Sequence, residues 1–250
     1  MTERSSDKYA SRLLLAGEWL PVTSTILFIH APVEHCVETL VSGVRGVHVR
    51  REFGKPLVPE TVSGSLPALL ANLVPLDSSQ DRRNLLLATA DASWTAMFGS
   101  NWRGFDPHSA MSWFGAARIE TVAISDIPNT YESALDKGFY GERKIESYEI
   151  PSEGEPVGQS LGVRMSEPRK WELVSPSASF RVGNVWNPAA KRITDRFTHD
   201  HLSEMANRYG LRPFDADFFA PEGSGVLVSR TDAPQPDESL ISLAIARGER

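Results

Sequence analysis

Cysteine is almost missing from this sequence: Cys36 is the only one in 250 residues. An internal disulfide and a cysteine-built zinc site are therefore excluded, and the usage suits a reducing compartment. Long hydrophobic runs are missing as well. A membrane-crossing helix takes roughly 18 or more consecutive apolar residues, and none occurs. The early apolar run Leu13–Ala16 is bracketed by Arg12 and Glu18 and is shorter than the centre of an export signal. The expectation is a cytoplasmic protein without a membrane segment. Positive charge is in deficit, with 26 Lys and Arg against 32 Asp and Glu and a net charge of −6. Neutralising a phosphate backbone needs a basic footprint, so nucleic-acid binding is disfavoured; an acidic surface steers basic partners instead. The sequence has no G-x-S-x-G, H-E-x-x-H, C-x-x-C or G-x-x-x-x-G-K-[ST]. No cofactor is indicated.

What is present is ordinary globular text, 41% hydrophobic and 23% charged, long enough to bury a sizeable core. Residues 1–230 read as one α+β domain with possible internal halves 20–90 and 91–230, and residues 231–250 as linker and tail. Thr25 to His30 is β-rich and too short for a helix. After Pro32, the residues Val33, Cys36, Val37 and Leu40 recur at helical spacing on one face, and Gly43 ends the run. Val47 to Phe53 alternates apolar and polar residues and reads as a strand. A similar succession follows about seventy residues on: strand Trp94–Phe98, a Pro-started helix over 107–118 with Asp106 as its cap, and strand Thr121–Ile127. Strand, helix, strand in both places suggests two related β-α-β units. Between them, Leu66 to Val74 forms an amphipathic helix. Asn84 to Ala90 is a strand joined to Trp94 by a link short enough to demand an antiparallel hairpin. Beyond Pro128 the text is a meander: strands at 139–150, 161–166 and 170–174, with 151–160 as an exposed loop. Asn187-Pro188 opens a long helical stretch striped by Leu202, Met205, Ala206 and Tyr209 and stopped by Gly210, and 225–230 is a last strand. The expected fold is a mainly antiparallel twisted sheet with helices packed on one face.

Three places could carry chemistry. In Thr198-His199-Asp200-His201 the two imidazoles flank a carboxylate, but side chains two apart on a helix diverge and cannot grip one ion. A solvated helix start with Thr198 as cap is the reading, and no metal is expected. The segment Asn101-Trp102-Arg103-Gly104-Phe105-Asp106-Pro107-His108 joins a strand to a helix start, where free N–H groups attract anions. Arg103 and His108 add charge there, Trp102 a stacking face, and Asp106 a cap. The competing reading is a plain connection in which aromatics plug the surface. The third is His30 with His35, beside Glu34 and Glu38, with nothing placing a nucleophile near them; Cys36 lies on the apolar stripe and behaves as a small buried hydrophobe. Of the six tryptophans, Trp102 and Trp186 sit among Asn, Gly and Pro and are expected to be the most exposed. Exposed Trp beside Arg is anchor chemistry for protein contacts.

The run Ser93-Trp94-Thr95-Ala96-Met97-Phe98, then Asn101-Trp102-Arg103-Gly104, then a helix and the strand Thr121–Ser125, resembles a recurrent pattern in small bacterial proteins. Some of these are suspected immunity partners of secreted toxins. The resemblance covers about thirty residues of this chain and transfers no residue roles. It implies a protein partner. The leading reading is thus a non-enzymatic protein-binding protein, of the immunity or inhibitor type, with a basic partner and a surface at Trp102, Arg103, Asp106, His108 and Trp186. The alternative is an enzyme acting on a small molecule or nucleotide at the 101–108 loop.

Overall fold

The strand Thr25–Ile29 (β1) is buried at every position. Its side chains alternate between two apolar layers. Leu27 and Ile29 enter one, while Ile26 and Phe28 enter the other. The computed structural model of the chain describes residues 11–78, 82–131, 138–175, 179–231 and 239–247. The further strands are β2 (Leu57–Ser63), β3 (Leu76–Asp77), β4 (Arg83–Ala88), β5 (Thr95–Gly99), β6 (Thr121–Ile127), β7 (Glu142–Glu149), β8 (Val157–Glu167), β9 (Lys170–Val174), β10 (Ser224–Arg230) and β11 (Leu240–Ile241). Among the described residues nine strands form one sheet in the order β2-β10-β4-β5-β1-β6-β7-β8-β9, and β11 pairs with β3. Each of the strand-to-strand pairings among the described residues is antiparallel, and an isolated parallel bridge joins Asp77 to Asn101. The short link after β4 makes the expected hairpin, with Leu86 opposite Met97.

The helices are α1 (Val33–Ser42), α2 (Val44–Phe53), α3 (Leu66–Leu70), α4 (Pro107–Ala116), α5 (Ile193–Arg196), α6 (His199–Arg208) and α7 (Leu243–Ala246). One layer of the core joins Cys36 and Leu40 of α1, Val49 of α2 and Ala110 and Phe114 of α4 to Leu27, Leu86, Met97, Ala123 and Val228 of the sheet. The opposite layer is thicker. There Leu69 and Leu70 of α3, Leu202 and Met205 of α6 and the Phe218–Phe219 pair cover Phe28, Leu85, Phe98, Val122 and Ile145. The fold is the expected α+β class with a large antiparallel sheet. Helices α1, α2 and α4 share one face, and α3 with α6 covers the other.

Several local expectations need correction. Residues 47–53 are not a strand but the body of α2. The apolar alternation of Val47 and Val49 misled, because Arg45, Gly46 and Val49 are the residues buried, with Arg45 and Val49 at i and i+4, and Val44 and Val47 stand exposed. Gly54 ends the helix in the left-handed conformation that glycine adopts without strain. The first unit is therefore β-α-α-β, and its match to β5-α4-β6 stops at the first helix. Asn187-Pro188 does not open a helix; α5 and α6 form later, the second from Thr198. Residues 157–160, expected in an exposed loop, begin β8. Of residues 231–250, 232–238 and 248–250 lie outside the described residues, while β11 and α7 lie in 239–247.

Candidate functional site

The 101–108 loop is built by turn chemistry and pinned from below. Asn101 accepts at Oδ1 from the Arg103 N–H (2.9 Å) and at its carbonyl from the Gly104 N–H (3.0 Å). Gly104 has φ +95°, and a Cβ there would meet Ser24 Oγ at 2.7 Å, so the position takes no larger residue without displacement. The Trp102 N–H donates to the Asp77 carbonyl (3.0 Å) and its indole Nε1–H to the Ser78 carbonyl (2.8 Å), which ties the loop to β3. Asp106 then caps α4, accepting from the His108 N–H at 3.1 Å, with Pro107 as the first helical residue.

This loop walls a cleft of about 340 Å³. Arg103, Asp106 and His108 line it from the loop and helix start. Thr25, Ser125, Glu142 and Lys144 line it from the sheet. Register explains the sheet side: Thr25 pairs with Ser125, Ser125 with Lys144, and Lys144 with Gly162. These four lie in one row across four strands, on the face that carries α4. The Thr25 and Ser125 hydroxyls are 3.0 Å apart. Gly162 adds no side chain to the row, and a Cβ there would strike the Arg143 carbonyl oxygen at 2.3 Å.

Lys144 sits between two carboxylates of its own strand, Nζ 3.3 Å from Glu142 and 3.0 Å from Glu146. Burial works against its ammonium, but the two carboxylates outweigh burial and its pKa is raised. It therefore stays charged, which argues against a role as nucleophile or general base. His108 Nε2 lies 3.9 Å from Glu146 Oε1, too far for a hydrogen bond. Two carboxylates (Asp106, Glu142) and two cations (Arg103, Lys144) line the cleft, and a third carboxylate, Glu146, lies 3.0 Å from Lys144 Nζ.

The structure brings together Arg103, Asp106 and His108 of the expected site. Trp102 and Trp186 do not stand exposed as expected. Both are half-buried and pack against the larger core. For Trp102 the cause is its indole bond to Ser78, which turns the ring inward beneath Arg103, whose guanidinium lies 5.0 Å from the ring centre. Thr25, Ser125, Glu142 and Lys144 escaped the sequence reading. The signal available was the alternation Glu142, Lys144, Glu146 around the buried Ile145, a charged face at strand period.

The helix start at Thr198 is also revised. Thr198 does cap α6, with His201 completing a capping box by accepting the Thr198 N–H at Nδ1 (3.1 Å). His199, however, is buried rather than solvated. Its Nδ1 lies 2.7 Å from Asp126 Oδ2, and Arg143 Nε is 3.3 Å from the other oxygen of that carboxylate. Asp126 follows Ser125 on β6 and points to the opposite face, so this buried network lies behind the cleft and ties α6 to the sheet. Among the described residues no three His, Cys, Asp or Glu side chains group as metal ligands, and no helix is long and apolar enough to cross a membrane. Comparison with protein-family models, with curated proteins and with solved structures returns no match.

Proposed function

We propose that this chain is a non-catalytic binding protein that captures a protein partner by admitting a basic side chain into the cleft between the 101–108 loop and β7. The observation that carries this reading is the charge arrangement on β7. Glu142 and Glu146 share a single lysine, and Asp106 adds a third carboxylate across the cleft. A guanidinium or ammonium entering beside Glu142 would meet an acceptor already held in place, with little ordering left to do. The net charge of −6 favours approach of a basic partner over the whole surface. A basic secreted toxin, for which this chain would be the immunity partner, is the partner class that suits both the charge and the sequence resemblance. An enzyme at the same place would need His108 and Glu146 to pass a proton. Their 3.9 Å separation and the charged Lys144 favour binding instead.

The test is comparative capture with the full-length chain and its Glu142→Lys variant as baits. The expected result is a basic protein retained by the first and weakened about tenfold or more by the second, with an association rate that falls as salt rises. Equal retention by both baits, or a salt-independent association rate, refutes the reading.

A further inference from the structure

A second groove lies on the other face of the sheet, near its β9 edge. The turn from β8 into β9 and the approach to α5 flank an open groove of about 520 Å³, with Arg169, Lys170 and Trp171 on one side and Arg192, Ile193 and Thr194 on the other. Trp171 pairs across the strands with Met165 and packs against the larger core layer, so it projects away from the Lys144 face.

The chemistry of this groove is one-sided. Guanidinium, ammonium and indole N–H groups donate hydrogen bonds and accept none. Of the side chains lining the groove, only the Thr194 hydroxyl can accept. Lys170 is already paired, Nζ 3.2 Å from Glu167 and 3.8 Å from Glu172. Arg169 and Arg192 are not: among the described residues neither has an ion pair or a side-chain hydrogen bond. Nor does the Trp171 N–H have an acceptor, or its ring an aromatic or cationic neighbour, among those residues. The local text is basic although the chain is acidic, with seven Lys and Arg against three Asp and Glu between residues 161 and 196. Arg169 itself has φ +66°. A non-glycine residue in that conformation is strained, so glycine would be the relaxed choice for the turn. The sequence keeps an arginine there.

A ligand complementary to this groove offers acceptors and negative charge at one end and a flat apolar surface at the other. Two unpaired guanidinium forks suit a phosphate, which has three terminal oxygens and up to two charges, better than a carboxylate. An unstacked indole beside Ile193 suits a planar ring. We propose that the groove binds a nucleoside monophosphate, its phosphate between Arg169 and Arg192 and its base against Trp171. The acidic remainder of the chain opposes a long polyanion, whereas one nucleotide needs only these local cations. This site is independent of the cleft proposed for the protein partner.

The test is calorimetric titration of the full-length protein at low salt with AMP, inorganic phosphate and adenosine, and with a single-stranded decanucleotide as a fourth probe. AMP is expected to bind with Kd at or below about 1 mM, and each of its halves about tenfold more weakly or worse. The Arg169→Glu/Arg192→Glu double variant changes exposed, unpaired side chains. It should keep its thermal midpoint within about 2 °C and weaken AMP by about tenfold or more. Trp171→Phe should retain most AMP affinity, and Trp171→Leu should bind AMP no better than phosphate. Phosphate binding as tightly as AMP would overturn the assignment of the base to Trp171. A decanucleotide bound more tightly than AMP would replace the proposal with nucleic-acid binding. Absence of AMP binding, or AMP affinity unchanged in the double variant, would overturn the site itself.

Discussion

Cys36 and Trp102 illustrate how one residue's environment sets both its chemistry and its contribution to stability. Cys36 is fully buried on the inner stripe of α1, with Sγ 3.6 Å from the Ala31 carbonyl. Burial pushes its thiol from the ordinary 9.0 up to about 12. A thiolate is the reactive form, so a thiol reagent at pH 8 should modify the native protein orders of magnitude more slowly than the denatured protein; prompt native labelling contradicts the burial. The linkage has a definite sign. The folded state holds this proton more tightly than the unfolded state, so the contribution is complete below pH 9 and is lost as pH rises from there towards about 12. Denaturant midpoints measured above pH 9 should fall, and Cys36→Ala should remove part of that slope. Trp102 was expected to stand free and instead anchors its loop. Full burial makes a Trp→Ala change worth about 3–5 kcal/mol, and half-burial together with the bond to Ser78 reduces this to about 2–3 kcal/mol. Trp102→Ala should lower the thermal midpoint by about 5–10 °C, at about 2–4 °C per kcal/mol for a chain of this size. A shift within about 2 °C would return Trp102 to the role of a free surface anchor.

Elements are positioned here by close approaches and by buried polar pairs. The corner between α1 and α2 depends on Gly46, where a Cβ would lie 1.8 Å from the Val41 carbonyl oxygen. That contact is with backbone and cannot be relieved by a side-chain rotation. Gly46→Ala should therefore destabilise by about 1–3 kcal/mol or more, even though alanine favours an isolated helix by about 1 kcal/mol. A thermal midpoint at or above that of the unsubstituted protein would show that the corner opens freely. On the opposite face, α6 is held by His199 against Asp126 and by Arg143 beside it. Removing one partner leaves the others buried without compensation, which typically destabilises by about 3–5 kcal/mol. Asp126→Ala is expected to fall in that range by chemical denaturation, and His199→Ala somewhat lower, since the Asp126–Arg143 contact survives it.

Across the whole molecule, the sheet separates two sites by face. Glu142, Lys144 and Glu146 look toward α4, and Trp171 looks the other way. Substitutions in one site are therefore expected to add to those in the other, since distant sites couple by no more than about 0.3–0.5 kcal/mol. Combining Glu142→Lys with Arg169→Glu/Arg192→Glu and titrating AMP checks this, because AMP affinity should follow the groove substitutions alone. Residues 239–247 are also part of the fold. Leu240 and Ile241 pair with Asp77 and Leu76 of β3, and Ala246 is buried in the larger core. β3 and the residue after it, Ser78, carry the carbonyls that hold Trp102. Deleting residues 239–250 should lower stability by about 3 kcal/mol, from the burial of two or three apolar side chains. It should also loosen the 101–108 loop, raising its amide exchange; exchange unchanged there would detach the tail from the site.

What the sequence by itself determined is what lies within a few residues of chain. The stripe through Cys36 and Leu40, the Asp106-Pro107 start of α4, the Thr198 cap, the hairpin after β4 and the Asn101–Gly104 turn all follow from side-chain period, capping and turn chemistry. All are local preferences, written next to the atoms they organise. The tertiary structure decided the rest, because it depends on partners far along the chain. Val47–Phe53 had the text of a strand, but burying Arg45 and Val49 together required a helix. His199 and Trp102 looked solvent-facing until Asp126 and Ser78, from distant parts of the chain, supplied their partners. The cleft is the strongest case. Thr25, Ser125 and Lys144 form one row only through strand register, which shifts every side chain to the other face on a slip of one residue. No local pattern carries that information, because pairing of distant strands is chosen by the energy of the whole core.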